Sequence, residues 1–477
     1  MLTIRFDNTY ARDLQGMYLP WQGAKAPDPA LVWLNDALAE ELGLDPAALR
    51  GAEGVAMLAG SAMPEGAEPL AMAYAGHQFG GFSPQLGDGR ALLVGEVIDR
   101  NGQRRDIHLK GSGKTPFSRG GDGKAALGPV LREVLIGEAM QGLGIPTTRA
   151  LAAVTTGETV WRDGAALPGA VLARVAASHL RVGTFQFFYA RQETARLRVL
   201  ADYAIRRHYP ELSGETDRYL GLLHAVIGRQ MALVARWMGV GFVHGVMNTD
   251  NMTISGETID YGPCAFMDAH DPATVFSSID HQGRYAYGNQ PLLARWNLAR
   301  LGESLLPLMA DDPSEALPDV RAAIDGAEAL YAAERRAVFG AKLGVEGAED
   351  ALIDGFLDML TAQGADFTQA FRHLAKAARG DEAELRALVP DPRLEAWLDA
   401  WRPRLRKEAA QVMERVNPVY IPRNDRVEAA LAAGVGGDLG PIHRLLRAFA
   451  DPFTRVDGFE DLEGPGTPDG YRTFCGT

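Results

Sequence analysis

The chain has 477 residues, and its content of 47% hydrophobic and 23% charged residues is typical of an ordinary globular protein. Its 61 Asp and Glu residues against 48 Lys and Arg give a net charge of −13, which argues against nucleic acid or an anionic membrane as the main partner. The sequence has no apolar run near the roughly 20 residues of a membrane helix and no N-terminal signal-peptide pattern, and its two cysteines suit a reducing compartment. The sequence therefore predicts a cytoplasmic protein of about two to four domains.

Residues 1–70 are predicted to form a partly helical lead-in, with a helical pattern at residues 30–42. Glycines then recur before a strand, an Asn101-Gly102 turn and a second strand ending near Lys110; they are Gly76, Gly80, Gly81, Gly87 and Gly89. Such glycines let backbone amides approach an anion, and a lysine on the next strand can reach phosphates, as in kinases. Read alone, the pattern also suits an ordinary hairpin with a solvated lysine.

The segment Gly111–Thr115 resembles the end of a phosphate-binding P-loop. The first glycine of that motif would fall at His108, and Pro116 stands where the P-loop helix should begin. The P-loop interpretation is therefore rejected, although the same stretch can still line a phosphate pocket through Asp122 and Gly123.

The helix predicted after Pro129 carries two carboxylates, Glu133 and Glu138. Kinase-like folds pair the strand lysine with a glutamate on this helix, and Glu133 is the predicted partner of Lys110, with Glu138 as the alternative. Arg174 and Arg181 follow near the next strands, and guanidinium groups bind phosphate through two parallel hydrogen bonds. Without that context, either arginine is more often part of a surface ion pair.

The stretch from Gly241 to Gly262 is where the sequence places the chemistry. An amphipathic helix ends before it, a polar loop comes next, and residues 253–259 are predicted to form a tight hairpin that leads to Asp260. Laid on the kinase motifs H-R-D-x-x-x-x-N and D-F-G, His244 matches the histidine, Asn251 the metal-binding asparagine and Asp260 the metal-binding aspartate.

The departure from those motifs is Val246, which stands where kinases carry the catalytic aspartate. Valine cannot accept a proton, so ordinary phosphoryl transfer loses its base. Asn251 and Asp260 remain as oxygen ligands for a hard cation, predicted to be Mg²⁺ with Mn²⁺ as a further possibility.

The remainder from about residue 292 is predicted to be mostly helical, with clear helices near residues 319–339, 350–362, 366–378 and 394–416. The predicted fold class is α+β, a protein-kinase-like two-lobed fold with a helical C-terminal extension. The predicted domains are a lead-in (1–70), a nucleotide-binding N-lobe (71–176), a C-lobe with the catalytic and metal loops (177–330) and a helical extension with a C-terminal tail (331–477).

Several long motifs carry a specific resemblance to one family. They include FDNTYAR, YAGHQFGGFSPQLGDGRA, DIHLKGSGKTPFSRGGDGKAAL, ARVAASHLRVGTFQFF, HGVMNTDNM, IDYGPCAFMD, NPVYIPRN and the C-terminal FCGT. On these motifs the chain resembles the selenoprotein O (YdiU-type) family of pseudokinases, over essentially its whole length.

The resemblance implies a kinase-like fold that binds ATP in a flipped orientation and transfers AMP to Ser, Thr or Tyr hydroxyls of protein substrates. It implies that the nucleotide phosphates are held by Gly87, Gly89, Arg90, Lys110, Asp122, Gly123, Arg174 and Arg181. It further implies that Asn251 and Asp260 bind magnesium and that Asp250 is the proton acceptor. From the residues alone, Asp250 suits either a base or a purely electrostatic role beside a cation.

The sequence leaves other functions open. One is a catalytically inactive pseudokinase scaffold that binds nucleotide, which the retention of both Asn251 and Asp260 disfavours. Another is a protein uridylyltransferase that uses UTP. A conventional small-molecule kinase is disfavoured by Val246.

Cys264 comes shortly after the predicted metal ligand Asp260, and Cys475 is followed only by Gly476 and Thr477. Counting alone favours two unrelated thiols. Their placement, and the selenocysteine that eukaryotic members of the family carry near the C-terminus, predict a regulatory Cys264–Cys475 disulfide. Such a bridge should be reducible by thioredoxin-type partners, since regulatory disulfides are the labile ones.

Overall fold

The computed structural model describes residues 2–162, 164–466 and 470–473. Strands dominate the chain as far as Ala176, and helices dominate the chain after that residue. The α+β class and the helical C-terminal region predicted from the sequence are therefore confirmed. No helix within the described ranges combines the length and the apolar character needed to cross a membrane.

The N-terminal segment supplies the two edge strands of the main sheet. Its elements are α1 (Thr9–Asp13), β1 (Tyr18–Pro20), β2 (Ala30–Leu34), α2 (Asp36–Glu41), α3 (Pro46–Arg50) and α4 (Ala52–Leu58). The helix predicted at residues 30–42 is wrong at its start, because Ala30–Leu34 pairs with a strand of the sheet. Helix α2 begins only after Asn35, whose side chain caps it by accepting a hydrogen bond from Leu38 N.

The main sheet is antiparallel and runs in the order β1-β3-β6-β7-β10-β9-β2. The strands not yet given are β3 (Leu70–Met72), β4 (Gly76–Gln78), β5 (Gly81–Ser83), β6 (Ala91–Ile98), β7 (Arg104–Lys110), β8 (Ala125–Ala126), β9 (Arg149–Arg162) and β10 (Ala165–Ala176). Strands β4 and β5 form a separate two-stranded hairpin. The central strands β6, β7 and β10 all contribute residues to the candidate site.

Both faces of the sheet are covered, so most residues of its central strands are buried, including the polar Asp106, His108 and Lys110 of β7. One face packs under α2 and α4 through Leu38, Leu58 and Ile107. The other face packs under α5 (Leu127–Gly142), whose Leu131 belongs to the same cluster as Leu172 of β10.

The helical part begins with α6 (Val182–Ala190), α7 (Thr194–His208), α8 (Arg218–Gly239), α9 (Gln290–Met309) and α10 (Pro313–Leu343). It continues with α11 (Asp350–Gln363), α12 (Phe367–Ala377), α13 (Ala383–Leu388), α14 (Leu394–Trp401), α15 (Ala409–Val416), α16 (Asn424–Val435) and α17 (Gly440–Ala450). Helices α16 and α17 return to the sheet and pack against α5. These two late helices therefore cover the helix that carries Glu133.

Short strands β11 (Phe242–Val243) and β12 (Ala265–Phe266) pair antiparallel and enclose the loop with the predicted metal ligands. The hairpin predicted at residues 253–259 is a turn closed by side chains instead. Thr253 bridges to Arg181 and Thr258 bridges to Thr147, so neither pairs with the other. The Thr253 hydroxyl donates to Glu257 O and accepts from Glu257 N, which closes the turn.

The contact between α5 and α17 predicts a selective sensitivity to one added methyl group. A Cβ at Gly142 would lie 1.8 Å from Phe449 O, whereas one at Gly128 of the same helix meets nothing closer than 3.6 Å. Gly142→Ala should lower the free energy of unfolding by about 1–3 kcal/mol, and Gly128→Ala should leave it unchanged or raise it slightly. Urea unfolding of both variants tests this, and equal effects would contradict the close packing of the two helices.

Candidate active site

A cavity of about 730 Å³ lies where the sheet meets the loop from Val246 to Pro263. Each residue expected to bind nucleotide or metal, together with Asp250, lines it: Gly87, Gly89, Arg90, Lys110, Asp122, Gly123, Arg174, Arg181, Asp250, Asn251 and Asp260. Seven basic and four acidic side chains contribute to its wall, an excess of three positive charges in a protein whose net charge is −13. The electrostatic potential inside the cavity is therefore positive, which suits an anionic ligand.

Lys110 ends strand β7 and reaches two carboxylates at once. Its Nζ donates to Glu133 Oε1 at 2.5 Å and to Asp260 Oδ1 at 2.7 Å. Glu138 is instead occupied by Arg149, at 2.8 and 2.9 Å. Helix α5 therefore presents Glu133, and not Glu138, to the lysine.

Asp260 is the carboxylate on which the basic side chains converge. Its Oδ1 also accepts from Arg174 Nη1 at 2.7 Å, and its Oδ2 lies 3.7 Å from Arg181 Nη2. Burial by itself would raise the pKa of Asp260, but the charges of Lys110, Arg174 and Arg181 hold that pKa well below its usual value. Asp260 is consequently ionised throughout the physiological range.

Asp250 sits in the opposite electrostatic setting, on the 3₁₀ turn Thr249–Asn251. Its Oδ2 accepts from Gln78 Nε2 at 3.1 Å, while its Oδ1 is buried and has no hydrogen-bond partner among the described residues. Burial raises the pKa of Asp250 to about 6. A carboxyl group that titrates near neutrality and has an unpaired oxygen is equipped to exchange a proton with a ligand.

The approach of the β4–β5 hairpin to Asp250 requires a glycine. A Cβ at Gly76 would lie 2.5 Å from Asp250 Oδ1. The hairpin therefore seals one side of Asp250, which produces the burial that shifts its pKa. Gln78, the hydrogen-bond partner of Asp250, belongs to this hairpin and was not predicted as a site residue.

The protein offers two side chains with oxygen atoms that could bind a metal ion, those of Asn251 and Asp260. Asn251 Nδ2 donates to Val246 O at 3.1 Å, so the amide oxygen is the atom of this side chain that could ligate a cation. Across the described ranges, no group of three or more His, Cys, Asp or Glu side chains could hold a metal. Asn251 and Asp260 thus fit a hard cation that takes its other ligands from water and phosphate, as Mg²⁺ commonly does.

His244, the histidine of the loop motif, has a structural place. It is buried, and its Nε2 lies 3.0 Å from Ile259 O, so it ties the loop to the residue preceding Asp260. Burial lowers the pKa of His244, which keeps the ring neutral.

Two of the glycines predicted to hold phosphate, Gly87 and Gly123, are required by close packing between loops. A Cβ at Gly87 would lie 2.3 Å from the ring of Phe117, and one at Gly123, where φ is +71°, would lie 2.3 Å from the backbone of Gly113.

Asp122 forms two hydrogen bonds to Arg162, at 2.8 and 3.0 Å. Arg162 also lines the cavity and was not predicted, because nothing in the sequence near it forms a motif.

Arg90, like the exposed Arg119, forms no ion pair with any residue in the described ranges, whereas the other cavity arginines do. It is half-buried and lines the cavity, so its guanidinium is available to an anionic ligand.

Cys264 is buried beside the site and is a free thiol in the described structure. Burial raises the pKa of this thiol to about 12. Cys475, its predicted disulfide partner, lies outside the described residues.

The shifted pKa of Asp250 predicts a pH-dependent gain in stability for Asp250→Asn. A folded-state pKa near 6 against an ordinary 3.8 means that folding opposes ionisation of this carboxyl, and the penalty grows as pH rises from about 4 to 6. The variant lacks that penalty, so its stability advantage should be about 2 kcal/mol larger at pH 8 than at pH 4.5. Urea unfolding at both pH values, with exposed Asp311→Asn as the control, measures this. A constant difference would show that Asp250 is not buried in the folded protein.

Comparison with known proteins identifies the family of the chain. A sequence model of the family described as "Protein adenylyltransferase SelO" matches residues 1–450. Proteins named "Protein nucleotidyltransferase YdiU" are similar over nearly their whole length. The one from Cereibacter sphaeroides is 61% identical over 100% of both chains. The one from Chromobacterium violaceum is 59% identical over 96% of this chain and 99% of its own. The one from Rhodococcus jostii is 54% identical over 99% of this chain and 94% of its own. The resemblance inferred from the motifs is confirmed: the chain belongs to the SelO family of protein adenylyltransferases.

Proposed function

We propose that this enzyme transfers AMP from ATP to Ser, Thr or Tyr hydroxyls of other proteins, with ATP bound in the reverse of the kinase orientation. The observation that carries the proposal is one cavity that joins a buried cationic cluster to Asp250, while Val246 occupies the place of the kinase base.

A kinase-like, two-lobed fold is part of the proposal. Its support is the antiparallel sheet followed by helices, with Lys110 on a central strand, Glu133 on the helix packed against that sheet, and Asp260 after the polar loop. The corresponding domains are the segment 1–70, an N-lobe at 71–176, a C-lobe at 177–330 and an extension at 331–477.

The reversed orientation of ATP rests on where the positive charge lies. Arg174 and Arg181 are 2% and 1% exposed, at the inner wall of the cavity. Arg181 Nε is buried without a hydrogen-bond partner in the described part of the chain. Buried guanidinium groups suit the phosphate tail far better than they suit an adenine ring, because each cation gains a charged partner in a low-dielectric setting. The phosphate tail is therefore assigned to this wall, with Arg90 and the backbone around Gly87, Gly89, Asp122 and Gly123 as further contacts.

In the proposed transfer of AMP, the protein itself takes part in one proton transfer. The acceptor hydroxyl oxygen forms a bond to the α-phosphorus, the bond from that phosphorus to the bridging oxygen breaks, and pyrophosphate leaves. Asp250 takes the proton of the hydroxyl, a role that suits a carboxyl with a pKa of about 6. A divalent cation on Asn251 and Asp260, Mg²⁺ or Mn²⁺, supplies charge neutralisation for the phosphates.

Incubation with ATP labelled on either the α- or the γ-phosphate tests the proposal. Label should pass to protein from α-labelled ATP and not from γ-labelled ATP, because the kinase base is absent. Asp260→Ala and excess EDTA should each abolish the transfer, and labelled UTP gives a direct comparison of nucleotides. Transfer of γ-label alone would refute adenylyl transfer, and nucleotide binding without any transfer would favour a scaffold.

A redox control of the same site is the second part of the proposal. Thr473 Oγ1 donates to Pro263 O at 2.7 Å, so the chain two residues before Cys475 contacts the residue preceding Cys264. An oxidant such as a peroxide would remove two electrons and two protons from the two thiols as the S–S bond forms. A dithiol reductant of the thioredoxin type would reverse the step in a reducing, cytoplasmic setting.

The proposed disulfide predicts that the native enzyme responds to oxidation and reduction and that the Cys475→Ser variant does not. Oxidation should lower the activity of the native enzyme and dithiothreitol should restore it, whereas Cys475→Ser should respond to neither treatment. Intact-mass analysis should show the loss of two hydrogens in the oxidised native protein. Two free thiols after oxidation would contradict the proposal.

A further inference from the structure

Two histidines that the proposed reaction does not use lie directly behind the cationic cluster. His108 on β7 and His179 after β10 are both 0% exposed. Their rings stack with centroids 4.2 Å apart and planes inclined by 16°. A buried polar ring is costly unless its nitrogen atoms are hydrogen-bonded. Three of the four ring nitrogens have partners within the described ranges, and His179 Nε2 has none.

The partners of His108 fix its tautomer. Arg174 Nε donates to His108 Nδ1 at 3.2 Å, and because a guanidinium cannot accept a hydrogen bond, Nδ1 must be unprotonated. The proton is then on Nε2, which lies 3.2 Å from Asp88 Oδ2 and donates to it. Burial lowers the pKa of His108, with Arg174 and Arg181 acting in the same direction, so the ring stays neutral and able to accept.

The register of the sheet creates this contact. His108 on β7 stands directly opposite Arg174 on β10, and the pairing places both side chains on the same face. Arg174 is consequently held at two points, with Nε on His108 and Nη1 on Asp260 at 2.7 Å. Two hydrogen bonds fix the plane of a guanidinium, which a single contact would leave free to rotate.

His179 supports the ring of His108 from the other side. Its Nδ1 lies 3.0 Å from Asp106 Oδ2, and the same carboxylate accepts from Arg207 Nη2 through Oδ1 at 2.6 Å. Burial lowers the pKa of His179 to about 3, so this ring is neutral as well. The stack is therefore a rigid, uncharged backing anchored in a separate ion pair.

We propose that His108 is a positioning residue for nucleotide transfer: as a neutral acceptor it holds the Arg174 guanidinium in the orientation that meets the nucleotide phosphates. The inference rests on the proposed function of the cavity, and it assigns to His108 no contact with substrate.

Two amide substitutions separate the two hydrogen bonds of His108. In His108→Asn the amide oxygen can replace Nδ1 and accept from Arg174, but the contact to Asp88 is lost. In His108→Gln the amide nitrogen can replace Nε2 and donate to Asp88, but the acceptor for Arg174 is lost. His270→Gln is the matched control, because His270 is a buried, stacked histidine in the helical part of the chain.

The two variants are expected to rank in opposite order for stability and for kcat. His108→Asn should be the less stable variant, because the buried Asp88 loses a donor, yet it should keep a kcat within about threefold of wild type. His108→Gln should be the more stable variant, yet its kcat should fall about 10- to 100-fold. Its affinity for α,β-methylene-ATP, which cannot transfer AMP, should change by less than about threefold, because Arg174 remains charged and keeps its hydrogen bond to Asp260. A merely structural role would make stability and kcat fall together, and that outcome, or equal kcat in the two variants, would overturn the proposal.

The tautomer gives a readout that needs no activity. In ¹⁵N-histidine-labelled protein, the signal absent from His108→Asn should show a protonated Nε2 and an unprotonated Nδ1. A charged ring or the opposite tautomer would overturn the proposal. Failure of the wild-type enzyme to transfer AMP would instead refute the proposed function, and the tautomer would still be decided by this spectrum.

Discussion

The site depends on one carboxylate, that of Asp260, which is shared by three cations. Lys110 comes from β7, Arg174 from β10 and Arg181 from the N-terminal end of α6, and all three are directed at Asp260. Buried charges of one sign repel each other strongly unless a counter-charge lies among them. Asp260 therefore joins the sheet to the helical part of the chain and holds the three cations together at the wall of the cavity.

The backbone at Asp260 is forced into an unusual conformation to do this. Its φ of +64° is left-handed, which costs a non-glycine residue of order 1–3 kcal/mol. Contacts on both sides hold it there: Thr258 bridges to Thr147, and the hydroxyl of Tyr261 bonds to the side chain of the same threonine. His244 adds its contact to Ile259 O. The strain is thus maintained by contacts that lie outside the cavity.

The sequence predicted the parts of the site that rest on local motifs. Lys110, Asn251 and Asp260 occupy positions fixed by short spacings, and all three line one cavity. What could not be predicted depends on pairing between distant segments. Gln78 reaches Asp250 only because a hairpin 172 residues earlier folds over it, and His108 meets Arg174 only through the register of two strands.

The errors in secondary structure have the same origin. The apolar run at residues 30–34 has no intrinsic preference strong enough to separate helix from strand, and pairing with β9 decides in favour of a strand. The turn at residues 253–259 has the apolar and polar alternation of a hairpin, yet its threonines pair with Arg181 and Thr147 from elsewhere. Tertiary contacts settled both cases.

The surroundings of Asp250 oppose stability and also change the chemistry of its carboxyl group. Its burial under the β4–β5 hairpin leaves one carboxylate oxygen without a partner among the described residues, and the ionised form is disfavoured in the folded state. The same desolvation brings its pKa to about 6, where a carboxyl can take a proton near neutral pH and still release it. Asp260, only ten residues later, is surrounded by cations and stays ionised. Two aspartates in one cavity are thus given different chemistry by their surroundings: one is a fixed charge and the other a group that can change its charge.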